Sequence, residues 1–348
     1  MDELCRSCFQ PLTIHKQGYF SIYHHGDEKL KEVLLKLYFQ EISSSHFRIS
    51  YETKAELREY LSFINTELGD INGIKGAIHL TLQPSPFETY SFKTLYEHTI
   101  HENYVNLIKD GDFISFIQPI VSMQNGELFG YESLLRSKDQ SFYPSQLFEV
   151  ARKTEMHSIL DKKAREVAIK ARYNKIPSGV KSFINFLPST IYNPQHCLKH
   201  TFEIVEKYNV DPSDLVFEVV ETEKIHNIEH LKSILETYRN HGMKVALDDV
   251  GAGYSTLDML SKLRPDYIKI DRQYIQECHI NKENQVFLQN VIHLSKELNI
   301  TVLAEGIEQK EEYEFLKSIN VSLAQGYYIG KPSPEPVLLP TDTRAISL

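Results

Sequence analysis

No stretch of the 348-residue sequence stays apolar for the roughly 20 residues that a membrane-spanning helix needs. The first residues, MDELCRSC, carry neither the basic start nor the apolar core of a secretory signal. A soluble protein of the cytoplasm, with no membrane partner, is the expectation. Cysteine is scarce too: of four, Cys197 and Cys278 stand alone and only Cys5 and Cys8 are close in sequence. Such a set builds no disulfide framework and suits a reducing compartment. Positive charge is in deficit, 38 Lys and Arg against 47 Asp and Glu, for a net charge of -9. That argues against a nucleic-acid polymer as partner, so a small phosphate-bearing ligand would have to be met locally, through metal ions. What remains is ordinary globular composition, 41% hydrophobic and 24% charged, in a chain long enough for two domains.

Residues 1–82 alternate strand-like and helix-like segments and read as a small α+β domain. Gly18 to His24 has the aromatic and branched residues of a strand. Asp27 to Ile42 follows with Leu30, Val33, Leu34, Leu37 and Tyr38 at helical spacing. His46 to Tyr51 reads as a second strand, and Thr53 with Glu56 three residues on makes a capping box for a helix reaching Leu68. Gly73 to Leu82 completes an expected β-α-β-α-β unit. Cys5-x-x-Cys8, with His15, His24 and His25 downstream, is either half of a zinc (Zn2+) site or a pair of structural thiols. Residues 83–112 read as a linker, opened by Gln83-Pro84-Ser85-Pro86-Phe87, and a helix from Phe92 to Lys109 that either carries a signal or merely spaces the domains.

From Phe113 the texture changes to short apolar runs separated by helical segments. The runs are Phe113 to Val121, Gly130 to Leu135, Ser182 to Phe186, Leu215 to Val220, Lys244 to Leu247, Tyr267 to Ile270, Thr301 to Ala304 and Leu323 to Ile329. Helices are expected at His157 to Tyr173, Pro194 to Tyr208, Asn227 to His241, Asn281 to Leu298 and Gln309 to Ile319. Short runs without alternation are what strands covered on both faces show. The pattern predicts an α/β fold, a (β/α)8 TIM-like barrel over residues 113–335, with a tail at 336–348. Only the short loop Gln124-Asn125-Gly126-Glu127 joins the first two runs, so the first strand is expected to be antiparallel to the second.

Nearly every run ends in a polar residue: Glu132, Asn185, Glu218, Asp248 with Asp249, Lys269, Glu305 and Gln325. Barrel sites are built from strand C-terminal ends, so folding would gather these residues into one ring. Five carboxylates against one ammonium give a local charge of -4, costly to assemble in a partly buried mouth without counter-ions. Two divalent cations would neutralise it. All-oxygen donors suit hard ions such as Mg2+ or Mn2+, and no His/Cys set here favours zinc. Two such ions can clamp a phosphodiester and activate a water, so metal-assisted phosphodiester hydrolysis is the predicted reaction class.

Residues 113 to about 335 resemble the EAL family of cyclic-di-GMP phosphodiesterases. The resemblance runs through Gln118-Pro119-Ile120-Val121, Glu132-Ser133-Leu134-Leu135-Arg136, Asn185, Glu218-Val219-Val220-Glu221, Asp248-Asp249 with Gly251 and Gly253, Lys269-Ile270-Asp271, Ala304-Glu305-Gly306-Ile307-Glu308 and Gln325-Gly326-Tyr327. It implies that Glu132, Asn185, Glu218 and Asp248 hold one metal and that Asp248 with Asp249 helps hold a second. Lys269 would contact the attacking water and stabilise developing negative charge. Glu305 would act as base, orient that water or assist the metals, and Gln325 would hydrogen-bond within the network. Arg136 has the planar fork suited to a substrate phosphate. Gln118 either touches the ligand or makes a structural hydrogen bond. Gly251, Gly253 and Glu221 would support the loop after Asp249 and a homodimer contact.

The chain departs from the family pattern in places. Ser133 stands where Ala is usual, Val220 where Thr is, and Val250 and Ala252 replace a Phe and a Thr. Losing two hydroxyls and a ring is expected to loosen the loop and to lower activity or make it depend more on dimerisation. The expected function is hydrolysis of cyclic di-GMP to linear pGpG, controlled by the N-terminal domain. The alternative is a catalytically weak or inactive cyclic-di-GMP receptor that signals through that domain.

Overall fold

The computed structural model describes residues 12–24, 26–82, 89–173, 175–220, 227–251 and 257–336. Cys5, Cys8, His25, Glu221, Ala252, Gly253, the proline-rich linker and most of the tail lie outside the described residues. The chain forms two compact units, one of residues 1–112 with 142–160 and one of residues 113–141 with 161–348.

The first unit is built on a five-stranded sheet in the order β2-β3-β1-β4-β5, with every pair antiparallel. The strands are β1 (Gly18–Tyr23), β2 (Gln40–Ser43), β3 (His46–Tyr51), β4 (Lys75–His79) and β5 (Tyr90–Ser91). Phe20 and Ile22 of β1 form a core with Leu30 and Leu34 of the helix Glu28–Lys36 and with Leu57 and Leu61 of the helix Lys54–Leu68. Thr53 caps the latter helix, its Oγ1 accepting from the Glu56 amide at 3.1 Å. The helix expected over 27–42 instead ends at Lys36, and β2 was not anticipated. Phe39 lies off the helical stripe and is buried against Phe20, with ring centroids 5.8 Å apart. To bury it, the chain turns at Tyr38 in a left-handed conformation (φ 63) and returns as β2.

The helix expected over 92–109 is two, Phe92–Ile100 and Glu102–Asp110, joined at His101. A helix absent from the sequence reading, Pro144–Lys153, belongs to the same unit. The Tyr104 hydroxyl donates to Gln146 Oε1 at 2.9 Å, and His98 Nε2 donates to the Thr154 carbonyl at 2.7 Å.

In the second unit eight strands close into a barrel. They are β6 (Phe113–Ser122), β7 (Leu128–Ser137), β8 (Lys181–Phe186), β9 (Leu215–Val219), β10 (Lys244–Val250), β11 (Tyr267–Ile270), β12 (Thr301–Ala304) and β13 (Leu323–Gln325). They pair in chain order and β13 returns to β6. As the short first loop predicts, β6 is antiparallel, to both β7 and β13, while all other neighbours are parallel. β13 stops at Gln325 rather than running to Ile329, because the chain turns there: the Ile329 and Gly330 amides both donate to the Gly326 carbonyl at 3.0 Å.

Inside the barrel lies an apolar layer of Ile120, Phe183, Val216, Ala246, Leu303 and Leu323, with Phe129 and Tyr267 against it. Side chains alternate along a strand, so the residues two positions further along point into the barrel one layer up. Among the described residues no helix is long and apolar enough to cross a membrane. Phe183 is fully buried and lies 5.3 Å from the Tyr267 ring, so Phe183→Ala is expected to cost about 3–5 kcal/mol. A lowered denaturant midpoint followed by circular dichroism checks this.

Candidate functional site

Two residues beyond the apolar layer stand Gln118, Asn185, Glu218, Asp248, Lys269, Glu305 and Gln325, with Glu132 opposite Gln118 in the β6–β7 ladder. Alternation therefore delivers the polar tips to one end of the barrel interior. β6 contributes from the opposite chain direction, which is why its polar residue precedes its apolar one.

Lys269 is the centre. It is 1% exposed, and its Nζ lies 3.0 Å from Asp248 Oδ1, 3.0 Å from Glu305 Oε2, 3.3 Å from Glu132 Oε1 and 3.3 Å from Glu218 Oε2. An ammonium has three N–H groups, so it attracts four carboxylates while bonding fully to three at most. Around it, Asn185 Nδ2 donates to Glu132 Oε1 at 3.0 Å and Gln325 Nε2 donates to Glu132 Oε2 at 2.6 Å. Gln325 Nε2 also reaches Gln118 Oε1 at 3.2 Å, and Gln118 Nε2 donates to the Gly330 carbonyl at 3.1 Å.

Adjacent residues on a regular strand face opposite ways, so Asp248 and Asp249 would not share a site. The β10–β11 register resolves this. Leu247 pairs with Ile268 and Val250 with Ile270, leaving Asp248 and Asp249 together opposite Lys269. This β-bulge, with Asp249 left-handed (φ 52), turns both carboxylates toward Glu305. One oxygen from each of Asp248, Asp249 and Glu305 lies within 4.8 Å of the others.

Burial and crowding show in the proton affinities. Glu218 is held well above the ordinary carboxylate range by burial, with Lys269 opposing and Glu132, Asp248 and Glu305 adding to the rise. Burial pushes Glu305 up to about 8, and burial with Asp248 pushes Asp249 up to about 6. Glu132 alone among the five acids of the ring is lowered: burial works against ionisation, but Lys269, Gln325 and Asn185 together outweigh it. Lys269 is held well above its usual value, since the four carboxylates outweigh its own burial.

The donor set fits a divalent cation. Asn185 Oδ1, Glu218 Oε1 and Gln325 Oε1 are buried and have no hydrogen-bond partner among the described residues. Oxygen acceptors left orphaned beside excess negative charge are satisfied by a hard metal ion.

An open cleft over Glu132, Glu305 and Gln325 is also lined by Arg272, which the sequence motifs do not include, and by Glu308 and Tyr327, which stand in the motifs with no role assigned. Their signal was positional: Arg272 and Glu308 each follow a polar strand tip, Lys269 and Glu305, by three residues. They pair with each other at 2.7 Å. Arg136 is half-buried over the Phe116 ring at 5.4 Å, with Nη1 donating to the Leu135 carbonyl; burial lowers its proton affinity while Tyr327 and Glu132 oppose that. Gly251 lies at the bend where β10 ends.

The sequence model of the EAL domain family matches residues 101–332, more than half of the chain. The chain belongs to the EAL domain family. A probable cyclic di-GMP phosphodiesterase of Escherichia coli (strain K12), PdeG, is 33% identical over 236 residues, 65% of this chain and 45% of that protein. The chain thus matches less than half the length of that relative. A standalone EAL protein of Vibrio cholerae O395, solved in a c-di-GMP bound form, is 33% identical with a TM-score of 0.61, covering 69% of this chain and 99% of that one. Klebsiella pneumoniae BlrP1, in a manganese/cy-diGMP complex, is 20% identical with a TM-score of 0.60 over 91% of this chain and 96% of its own, a likeness of fold alone.

Glu218 tests the metal fit in this EAL domain. A neutral amide keeps the shape of a carboxyl that burial already favours as neutral, so Glu218→Gln should melt no lower than wild type in chelator. Wild type should gain about 2.7 kcal/mol from Mn2+ at a hundred times its dissociation constant, and Glu218→Gln should lose most of that gain. Differential scanning calorimetry with and without Mn2+ measures both.

Proposed function

We propose that the chain is a metal-dependent phosphodiesterase that hydrolyses cyclic di-GMP to linear pGpG, with residues 1–82 as a regulatory or partner-binding module. The observation that carries this is the complete ring: Glu132, Asn185, Glu218, Asp248, Asp249, Glu305 and Gln325 around one buried Lys269 at a single barrel mouth. The phosphodiesterase names of its relatives support the same substrate. Within this reading Glu132, Asn185, Glu218 and Asp248 hold one Mg2+ or Mn2+, and Asp248 and Asp249 share a second. When bound, the cations supply Lewis acidity toward the phosphodiester and make a water acidic enough to attack at neutral pH.

The residues divide the remaining work. Lys269, held among four carboxylates, presents its ammonium to the attacking water and to the negative charge that develops on the phosphoryl oxygens. Glu305 fixes Lys269 from the cleft side and orients the water. Water attack forms one P–O bond, the bond to the sugar oxygen breaks, and that oxygen takes up a proton. Gln325 and Asn185 hold Glu132 in place. Arg136 meets a substrate phosphate. A cytoplasmic location goes with this reading, as does a homodimer through the barrel, for which the exposed apolar Ile280 and Val286 offer surface.

Incubating the full chain with cyclic di-GMP and Mg2+ or Mn2+, and separating products by chromatography, should give pGpG. Lys269→Ala should lower kcat about 10²- to 10³-fold, the usual cost of losing one stabiliser of transition-state charge. Ca2+ should inhibit, because its larger and looser coordination does not hold a compact two-metal site. Intact dinucleotide under both activating metals, with tight binding seen by calorimetry, would instead establish a receptor.

A further inference from the structure

The bulge that turns Asp249 into the site holds it in the left-handed region, which among residues with a side chain Asn and Asp enter most readily. On its upstream side it is tied into the site: Lys269 bonds Asp248, and the Asp249 amide donates to Asp248 Oδ1 at 3.1 Å. The downstream side needs its own anchor, and the structure shows one. The Tyr274 hydroxyl donates to the Gly251 carbonyl at 2.8 Å. Tyr274 stacks on Phe287, ring centroids 3.8 Å apart and planes 22° from parallel, and the pair is pressed against Gly251. An added Cβ there would meet Tyr274 Cε2 and Phe287 Cζ, each at 2.5 Å, and the φ of +106 already demands glycine. Tyr274 comes from the helix Arg272–Ile275, capped by Asp271 just beyond Lys269. Phe287 comes from the long helix Lys282–Glu297.

We infer that Tyr274 is a positioning residue. By holding the Gly251 carbonyl against the Phe287 stack, it fixes the exit of the bulge and so aims the Asp249 carboxylate at Asp248 and Glu305. The inference rests on the metal-dependent reading of this site and adds a regulator of Asp249 that lies outside the polar ring. The chain at Gly251, where β10 ends, is then braced by a hydroxyl and two rings.

The test measures Mn2+ binding to the full chain by loss of the free-ion electron paramagnetic resonance signal, independent of substrate. Tyr274→Phe keeps the stack and removes one hydrogen bond, and should weaken Mn2+ binding about 3- to 10-fold. In an Asp249→Asn background the same change should have no further effect. Gly251→Ala, which forces the same contact apart from the other side, should reproduce the loss. In turnover assays the Mn2+ concentration for half-maximal rate should rise by the same factor for Tyr274→Phe, with KM for cyclic di-GMP unchanged at saturating Mn2+. Wild-type Mn2+ affinity in Tyr274→Phe, or an equal loss with and without Asp249, overturns the inference. A wild-type chain that shows the Mn2+ coupling but no hydrolysis overturns the phosphodiesterase reading and leaves the role of Tyr274 standing.

Discussion

One ammonium among four carboxylates is the contact on which the barrel mouth depends. With Lys269 present, the ring of Glu132, Glu218, Asp248, Asp249 and Glu305 carries a formal charge of -4; without it the same buried volume would hold five uncompensated acids. Burying even one unpaired charge costs several kcal/mol, so the arrangement is tolerable only as a unit. Most of the acids answer by moving up toward neutrality, while Glu132 stays low because two amides and Lys269 all donate to it or face it. Excess negative charge that a single lysine cannot cancel attracts cations and repels anions.

The fold supplies this concentration of charge by repetition. Six strands, β8 to β13, each offer an apolar residue to the barrel interior and a polar one two positions on, so one layer seals the floor and the next makes the mouth. The antiparallel β6 fits the scheme in reverse, Ile120 below and Gln118 above. Asp249 enters out of period, through the bulge in β10.

Much of this was legible in the sequence because short uninterrupted apolar runs ending in polar residues leave few alternatives to a barrel. All eight strands and the direction of β6 followed from run length and from one short loop. Other features were hidden for physical reasons. Two consecutive aspartates do not reveal which way each points, since a bulge depends on pairing with Lys269 on another strand. The helical spacing through Leu37 and Tyr38 hid the turn forced by burial of Phe39, and with it β2. Tyr274 had no local signature, because its partner is a backbone carbonyl 23 residues away.

The most direct measurement is anomalous diffraction at the manganese edge from crystals grown with Mn2+ and the cyclic dinucleotide. Two peaks are expected, one among Glu132, Asn185, Glu218 and Asp248 and one beside Asp248 and Asp249, with the scissile phosphate against both. Dinucleotide in the mouth with no anomalous peak, and Lys269 still within 3.3 Å of all four carboxylates, would contradict a metal-dependent site.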